Sequence, residues 1–174
     1  MRWRLIAEPL GGTPVGDMVA ETITIQRAEL TDEVSRALIG SLNAELSALY
    51  PETGATHFQV NPQEVARGRG TFLVVYRDGT PVGCGAVRLL DVNTAELKRM
   101  YVSPTARGKG LGRRLLAALE AEAGALGVRR LVLETGIRQT AALALYRTTG
   151  FQPIPLYGEY RLSPETSVCL GKDL

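Results

Sequence analysis

Thr22-Ile23-Thr24-Ile25-Gln26-Arg27 alternates polar and apolar residues at period two, which predicts a strand with one buried face. From Asp32 to Leu49 the period changes. Val34, Leu38, Leu42, Leu46 and Leu49 recur at three- and four-residue steps, giving a helix with one apolar stripe, capped by Thr31 and ended before Pro51. A short helix or turn starts at Asn61-Pro62 and closes at Gly68 and Gly70. Phe72 to Tyr76 and Val82 to Val87 flank Arg77-Asp78-Gly79-Thr80, the pattern of a hairpin. Asp91 to Thr94 then turns the chain into a strand from Ala95 to Val102 whose alternation fails partway. Leu97 shares a face with Arg99, and polar Glu96 and Lys98 share theirs with Met100 and Val102, a conflict that a β-bulge would resolve. Leu111, Leu115, Leu119 and Leu126 mark the next helix, with Gly127 as its left-handed stop. A buried strand at Leu131 to Leu133, a helix from Gln139 to Thr149, and strands at Phe151 to Ile154 and Ser167 to Leu170 complete the order. The fold class is therefore α/β, a mixed sheet with helices on both faces.

Composition narrows this picture by exclusion. A chain of 174 residues, 45% hydrophobic and 22% charged, fits one soluble domain, read here as residues 22–174 behind an N-terminal extension, 1–21, rich in turn formers. A net charge of +2 gives no bulk attraction to nucleic acid or to a membrane surface. No apolar run approaches the roughly 20 residues of a span, and no signal peptide is read. Cys84 and Cys169 form no CxxC unit and His57 is the one histidine, so no metal site is expected, and two buried thiols fit a cytoplasmic protein.

The chemistry concentrates between residues 96 and 114, read as a strand, a glycine-rich loop and the first turn of a helix. Gly108, Gly110 and Gly112 clear side chains from where a phosphate would approach the backbone. The helix start adds unpaired N–H groups and a positive dipole end, and Arg107, Lys109 and Arg113 add charge. A Walker loop is excluded because no Lys here precedes Ser or Thr at its spacing. A dinucleotide fingerprint is excluded because its third glycine position is held by Arg113. What remains is Arg107-x-x-Gly110-x-Gly112 after Val102-Ser103-Pro104, and it resembles the acetyl-CoA loop of the GNAT superfamily of N-acetyltransferases. The resemblance extends to Leu143-Ala144-Leu145-Tyr146-Arg147-Thr148-Thr149-Gly150-Phe151 and covers roughly residues 22 to 174.

The resemblance implies the GNAT fold, a mostly antiparallel mixed sheet whose bulged central strand splays to admit the pantetheine arm of acetyl-CoA. It places the backbone of Met100, Tyr101 and Val102 along that arm, Arg107 to Arg113, including Leu111, around the pyrophosphate, and Gln139 where relatives carry a cofactor-contacting Asn. Tyr146 matches the tyrosine that protonates the departing thiolate, and a phenol of reference pKa ~10 suits that task. Glu96 stands at the spacing of a catalytic glutamate in one branch of the family. Glu134 on the following strand and a water chain are its rivals as general base. Tyr50, His57, Phe58, Tyr157 and Tyr160 fall in segments that border the acceptor. Lys98 and Arg99 beside Glu96 would hold a carboxylate and repel a polyamine. The expected function is acetyl transfer from acetyl-CoA to a small-molecule amine, an amino acid or similar amino-carboxylate. A peptide acetylase and a non-catalytic acyl-CoA-binding module are the alternatives, and the sequence leaves a homodimer open.

Overall fold

The computed structural model describes residues 21–52 and 59–174, so most of the N-terminal extension, and the acceptor candidates His57 and Phe58, lie outside the described residues. The elements run β1 (Ile23–Arg27), α1 (Glu33–Leu49), β2 (Gly70–Arg77), β3 (Thr80–Leu89), β4 (Thr94–Val102), α2 (Leu111–Ala125), β5 (Arg130–Gly136), α3 (Thr140–Thr148), β6 (Gln152–Pro153) and β7 (Ser167–Asp173). Among the described residues they build a seven-stranded sheet in the order β1-β2-β3-β4-β5-β7-β6. Every pairing is antiparallel except β4 with β5. The β2–β3 hairpin closes through Asp78 and Gly79, both at positive φ (49° and 76°), the turn whose twist matches that of the strands.

Both faces of the sheet are covered, which is why Phe72-Leu73-Val74-Val75 is apolar without interruption. Leu73 and Val75 pack with Leu115, Leu116 and Leu119 of α2 and Leu143 and Tyr146 of α3. Phe72 and Val74 pack with Leu38 and Leu42 of α1 on the other side. Leu115 is fully buried, so truncating it to Ala would cost about 2–5 kcal/mol.

The broken alternation of β4 is a bulge. Cys84 faces Tyr101 and Ala86 faces Lys98, so three steps on β4 oppose two on β3. The extra residue is Arg99, at φ 59°. As a result Ala95 and Leu97 point to the α2 side and so do Met100 and Val102, while Tyr101 joins the α1 side. Two local expectations are corrected. The α1 cap is Asp32 rather than Thr31, and its carboxylate accepts the Glu29 N–H at 3.2 Å. The strand expected over Phe151 to Ile154 shrinks to Gln152–Pro153, paired with Gly171 and Leu170, and the Phe151 ring before it is fully buried in the core.

Candidate active site

Pairing between β4 and β5 ends at Leu97 with Leu133. Beyond that point β4 stays on β3 and β5 stays on β7, so the sheet parts into a cleft of about 660 Å³. The α2 N-terminus is built by Gly110, whose left-handed φ of 75° lets it serve as the cap. The first intrahelical bond is donated by Arg114 N–H to the Gly110 carbonyl at 3.1 Å, which leaves the amides of Leu111, Gly112 and Arg113 without an i−4 partner. Gly112 has a different reason to be glycine. A Cβ there would sit 3.3 Å from Leu145 Cδ2, so its bare backbone seats α3 against α2. The loop cations meet protein partners. Arg107 bonds Glu45 of α1 at 2.6 and 2.9 Å and the Val102 carbonyl at 2.8 Å, Lys109 pairs with Glu21 at 3.0 Å, and Arg113 donates to Thr148 Oγ1 at 3.1 Å.

Tyr146 and Glu134 both line the cleft. The Tyr146 hydroxyl donates to Met100 Sδ at 3.5 Å and its ring stands edge-on to Phe151, with centroids 5.7 Å apart. Burial, and secondarily the charge of Glu134, pushes the phenol above its ordinary pKa. Glu134 is half-buried, and that burial raises its carboxyl pKa against the lowering effects of Ser167 and Lys98. Gln139 caps α3 and also faces the cleft. Tyr50 leans on Gly136, where any Cβ would collide with its hydroxyl. That hydroxyl accepts the Arg138 N–H at 2.9 Å, and the Arg138 guanidinium covers the Tyr50 ring while binding Glu52 and the Leu49 carbonyl.

Glu96 has a different setting. It is completely buried, with Oε2 held by Arg88 at 2.7 Å and Oε1 accepting from Tyr157 at 2.8 Å and Tyr160 at 2.6 Å. Arg88 also binds Glu64, whose other oxygen accepts the Asn61 N–H at 2.7 Å. Burial first, and then the Glu96 charge, raises both tyrosine pKa values, so each phenol stays a donor. Glu64, Arg88, Glu96, Tyr157 and Tyr160 of this network line a second cavity of about 400 Å³, and Tyr160 also lines the cleft. Lys98 is 7% exposed and donates to Tyr160 Oη at 3.1 Å and Glu159 at 3.4 Å. Arg99 binds Asn43 of α1 and lines the cleft.

The structure thus brings Met100, Lys98, Arg99, Glu134, Gln139, Tyr146 and Tyr160 to one cleft, and sets Glu96 and Tyr157 on the second cavity instead. Sequence reasoning missed Arg88, Glu64 and Arg138. Arg88 was findable, because hairpin register sets it directly opposite Glu96, an opposite-charge cross-strand pair. Glu64 and Arg138 depend on loop placement and left no local signal. Among the described residues no group of three or more His, Cys, Asp or Glu side chains could hold a metal, and no helix is long and apolar enough to cross a membrane.

The acetyltransferase (GNAT) family model matches residues 36–151. An IAA acetyltransferase of Azospirillum brasilense is 41% identical over 82% of this chain and 92% of its own. An aminoglycoside N(6')-acetyltransferase type 1 of Stenotrophomonas maltophilia is 30% identical over 86% of this chain and 99% of its own. Among solved structures, a Klebsiella pneumoniae chain that carries an acyl-CoA N-acyltransferase name superimposes with a TM-score of 0.74 at 37% identity, covering 87% of this chain and 97% of that one.

Proposed function

Because this chain belongs to the GNAT acetyltransferase family, we propose that its cleft transfers the acetyl group of acetyl-CoA to the amine of a small molecule, an amino acid or similar amino-carboxylate. The observation that carries the reading is the parting of β4 from β5 at Leu97, with Tyr146 and Glu134 lining the opening. Acetyl-CoA supplies an acyl group already activated as a thioester. The chain's own residues bind, orient and move protons around it.

The backbone of Met100 to Val102 lies beyond the last β4–β5 pair and can run alongside an extended pantetheine, with Arg107 on the Val102 carbonyl, and the amides of Leu111 to Arg113 with the positive end of α2 suit its pyrophosphate. Exposed ion pairs such as Arg107–Glu45 and Lys109–Glu21 are worth only about 0–1 kcal/mol each, so a phosphate can displace either carboxylate. Glu134 takes the ammonium proton, since the burial that raises its pKa brings it closer to an amine's. Tyr146, its proton held by burial, gives that proton to the departing thiolate. Glu96 is spent on Arg88 and two tyrosines, so its part is to fix the acceptor wall. Arg99, anchored by Asn43 at the cleft, offers a guanidinium to an acceptor carboxylate.

Thiol release measured across amines, amino acids and polyamines tests the reading. Turnover that needs both acetyl-CoA and an amine is the expected result. Acetyl-CoA binding without thiol release would favour a non-catalytic module, a histone-like peptide outrunning every small amine would favour a peptide acetylase, and spermidine outrunning every amino acid would overturn the acceptor class.

A further inference from the structure

On its α1 side the cleft has an apolar roof. Asn43, Leu46 and Tyr50 follow one another at steps of three and four residues, so they share one face of α1 and its C-terminal cap. The outer two reach the strands on either side of the opening. Asn43 binds Arg99 of β4, and Tyr50 lies against Gly136 of β5 while its hydroxyl accepts the Arg138 N–H at 2.9 Å. Leu46 therefore spans the gap where β4 and β5 have parted, and it lines the cleft with Leu42 and Tyr50.

The two faces of the sheet divide the two substrates between them. Leu131 and Leu133 of β5 pack into the α2-side core, as do Met100 and Tyr146, so the cosubstrate approaches from that face. Glu134 shares the opposite face with Gly136, the one that Tyr50 covers. Arg99 reaches the same face through Asn43. An acceptor whose amine meets Glu134 and whose carboxylate meets Arg99 thus lies beneath Leu46. Leu162, at the end of the turn Gly158–Leu162, lines the same cleft yet is 87% exposed, an apolar surface that an apolar ligand would take out of water.

We propose that the acceptor is an amino acid with an apolar side chain and that Leu46 and Leu162 set this preference, an inference that rests on the acetyl-transfer reading above. The product is the N-acetyl amino acid, with free thiol and one proton released. A charged side chain finds no single sign to answer. At the Tyr50 end Arg138 binds Glu52 and the Leu49 carbonyl and covers the Tyr50 ring, so a cation and an anion stand there together.

The test measures thiol release with leucine, methionine and phenylalanine against alanine, aspartate and lysine. The best apolar amino acid is expected to exceed each of the other three in kcat/KM by about tenfold or more, since one methylene in an apolar pocket is worth about that much. Leu162→Ser, at an exposed site with little risk to folding, is expected to lower the leucine-to-alanine ratio of kcat/KM about threefold, and Leu46→Ala about fivefold, as for partial loss of an apolar contact. A change in that ratio separates a contact with the side chain from a general loss of folded enzyme. Aspartate or lysine matching the best apolar amino acid would overturn the proposal, as would losses in both variants that are equal for leucine and alanine. A wild type that releases no thiol with any amine overturns the acetyl-transfer reading itself, and is distinct from one that turns over amino acids without distinguishing their side chains, which overturns this inference alone.

Discussion

Tyr146→Phe separates chemistry from packing more sharply than any other single change in the cleft. The hydroxyl's hydrogen bond among the described residues is to the Met100 thioether at 3.5 Å, a weak acceptor, while the ring's edge contact with Phe151 survives the substitution. Removing such a bond costs about 0.5–1 kcal/mol at most. For a domain of this size that is a fall in Tm of about 2–4 °C. A proton donor used in the transition state contributes far more, so kcat is expected to fall by about 10²-fold, or about 2.7 kcal/mol of barrier, with acetyl-CoA affinity nearly unchanged. Because burial and Glu134 hold the phenol above its ordinary pKa, it stays protonated past pH 10, and the variant should lower the plateau of the pH–rate profile without moving its limbs. Thiol release gives kcat, calorimetry gives the affinity, and a thermal scan gives Tm. A loss of less than about threefold, or a Tm drop large enough for unfolded enzyme to explain the rate, would refute the assignment.

Glu134→Gln is expected to abolish the acidic limb of kcat/KM, since the base must be ionised and its folded pKa is raised. The same raised pKa makes stability fullest below the unfolded carboxyl value and lost as pH climbs through the folded one, so denaturation at neutral pH should find Glu134→Gln the more stable protein. Gly110→Val forces a branched residue to φ 75°, and is expected to lower stability by about 1–2 kcal/mol and weaken acetyl-CoA binding in calorimetry. Gly112→Val should lower Tm through its contact with Leu145, which a Leu145→Ala background would partly relieve. Arg99→Ala is expected to raise the acceptor KM about tenfold and the acetyl-CoA KM less than twofold, as for loss of one charge-assisted contact. Equal changes in both constants would remove Arg99 from the acceptor site.

The parts of this fold that were legible in the sequence are those whose physics is local. Strand β1 and helix α1 show their periods directly, the hairpin shows its Asp78-Gly79 turn, and the bulge shows itself as an alternation that fails between Leu97 and Met100. Where local and tertiary preferences disagreed, the tertiary one prevailed. Phe151 reads as a strand residue, yet its ring is buried in the core edge-on to Tyr146 and the ladder begins only at Gln152.

The site divides along the same line. The glycine loop was readable because backbone amides at a helix start need no distant partner. The state of a carboxylate was not, because it is decided by whatever arrives from elsewhere in the chain. Glu96 and Glu134 lie on adjacent parallel strands, and no property of either residue alone says which is committed. The difference comes from Arg88 across the hairpin and from Tyr157 and Tyr160 some sixty residues later, which fill Glu96 from both sides. At Glu134 burial dominates, opposed by Ser167 and the Lys98 charge. Burial that raises a carboxyl's proton affinity suits a group that exchanges a proton, and on that ground Glu134 is proposed as the base. Which carboxylate serves as base is therefore decided by neighbours that only the folded chain brings together, and the acidic limb of the Glu134→Gln profile is the measurement that tells them apart.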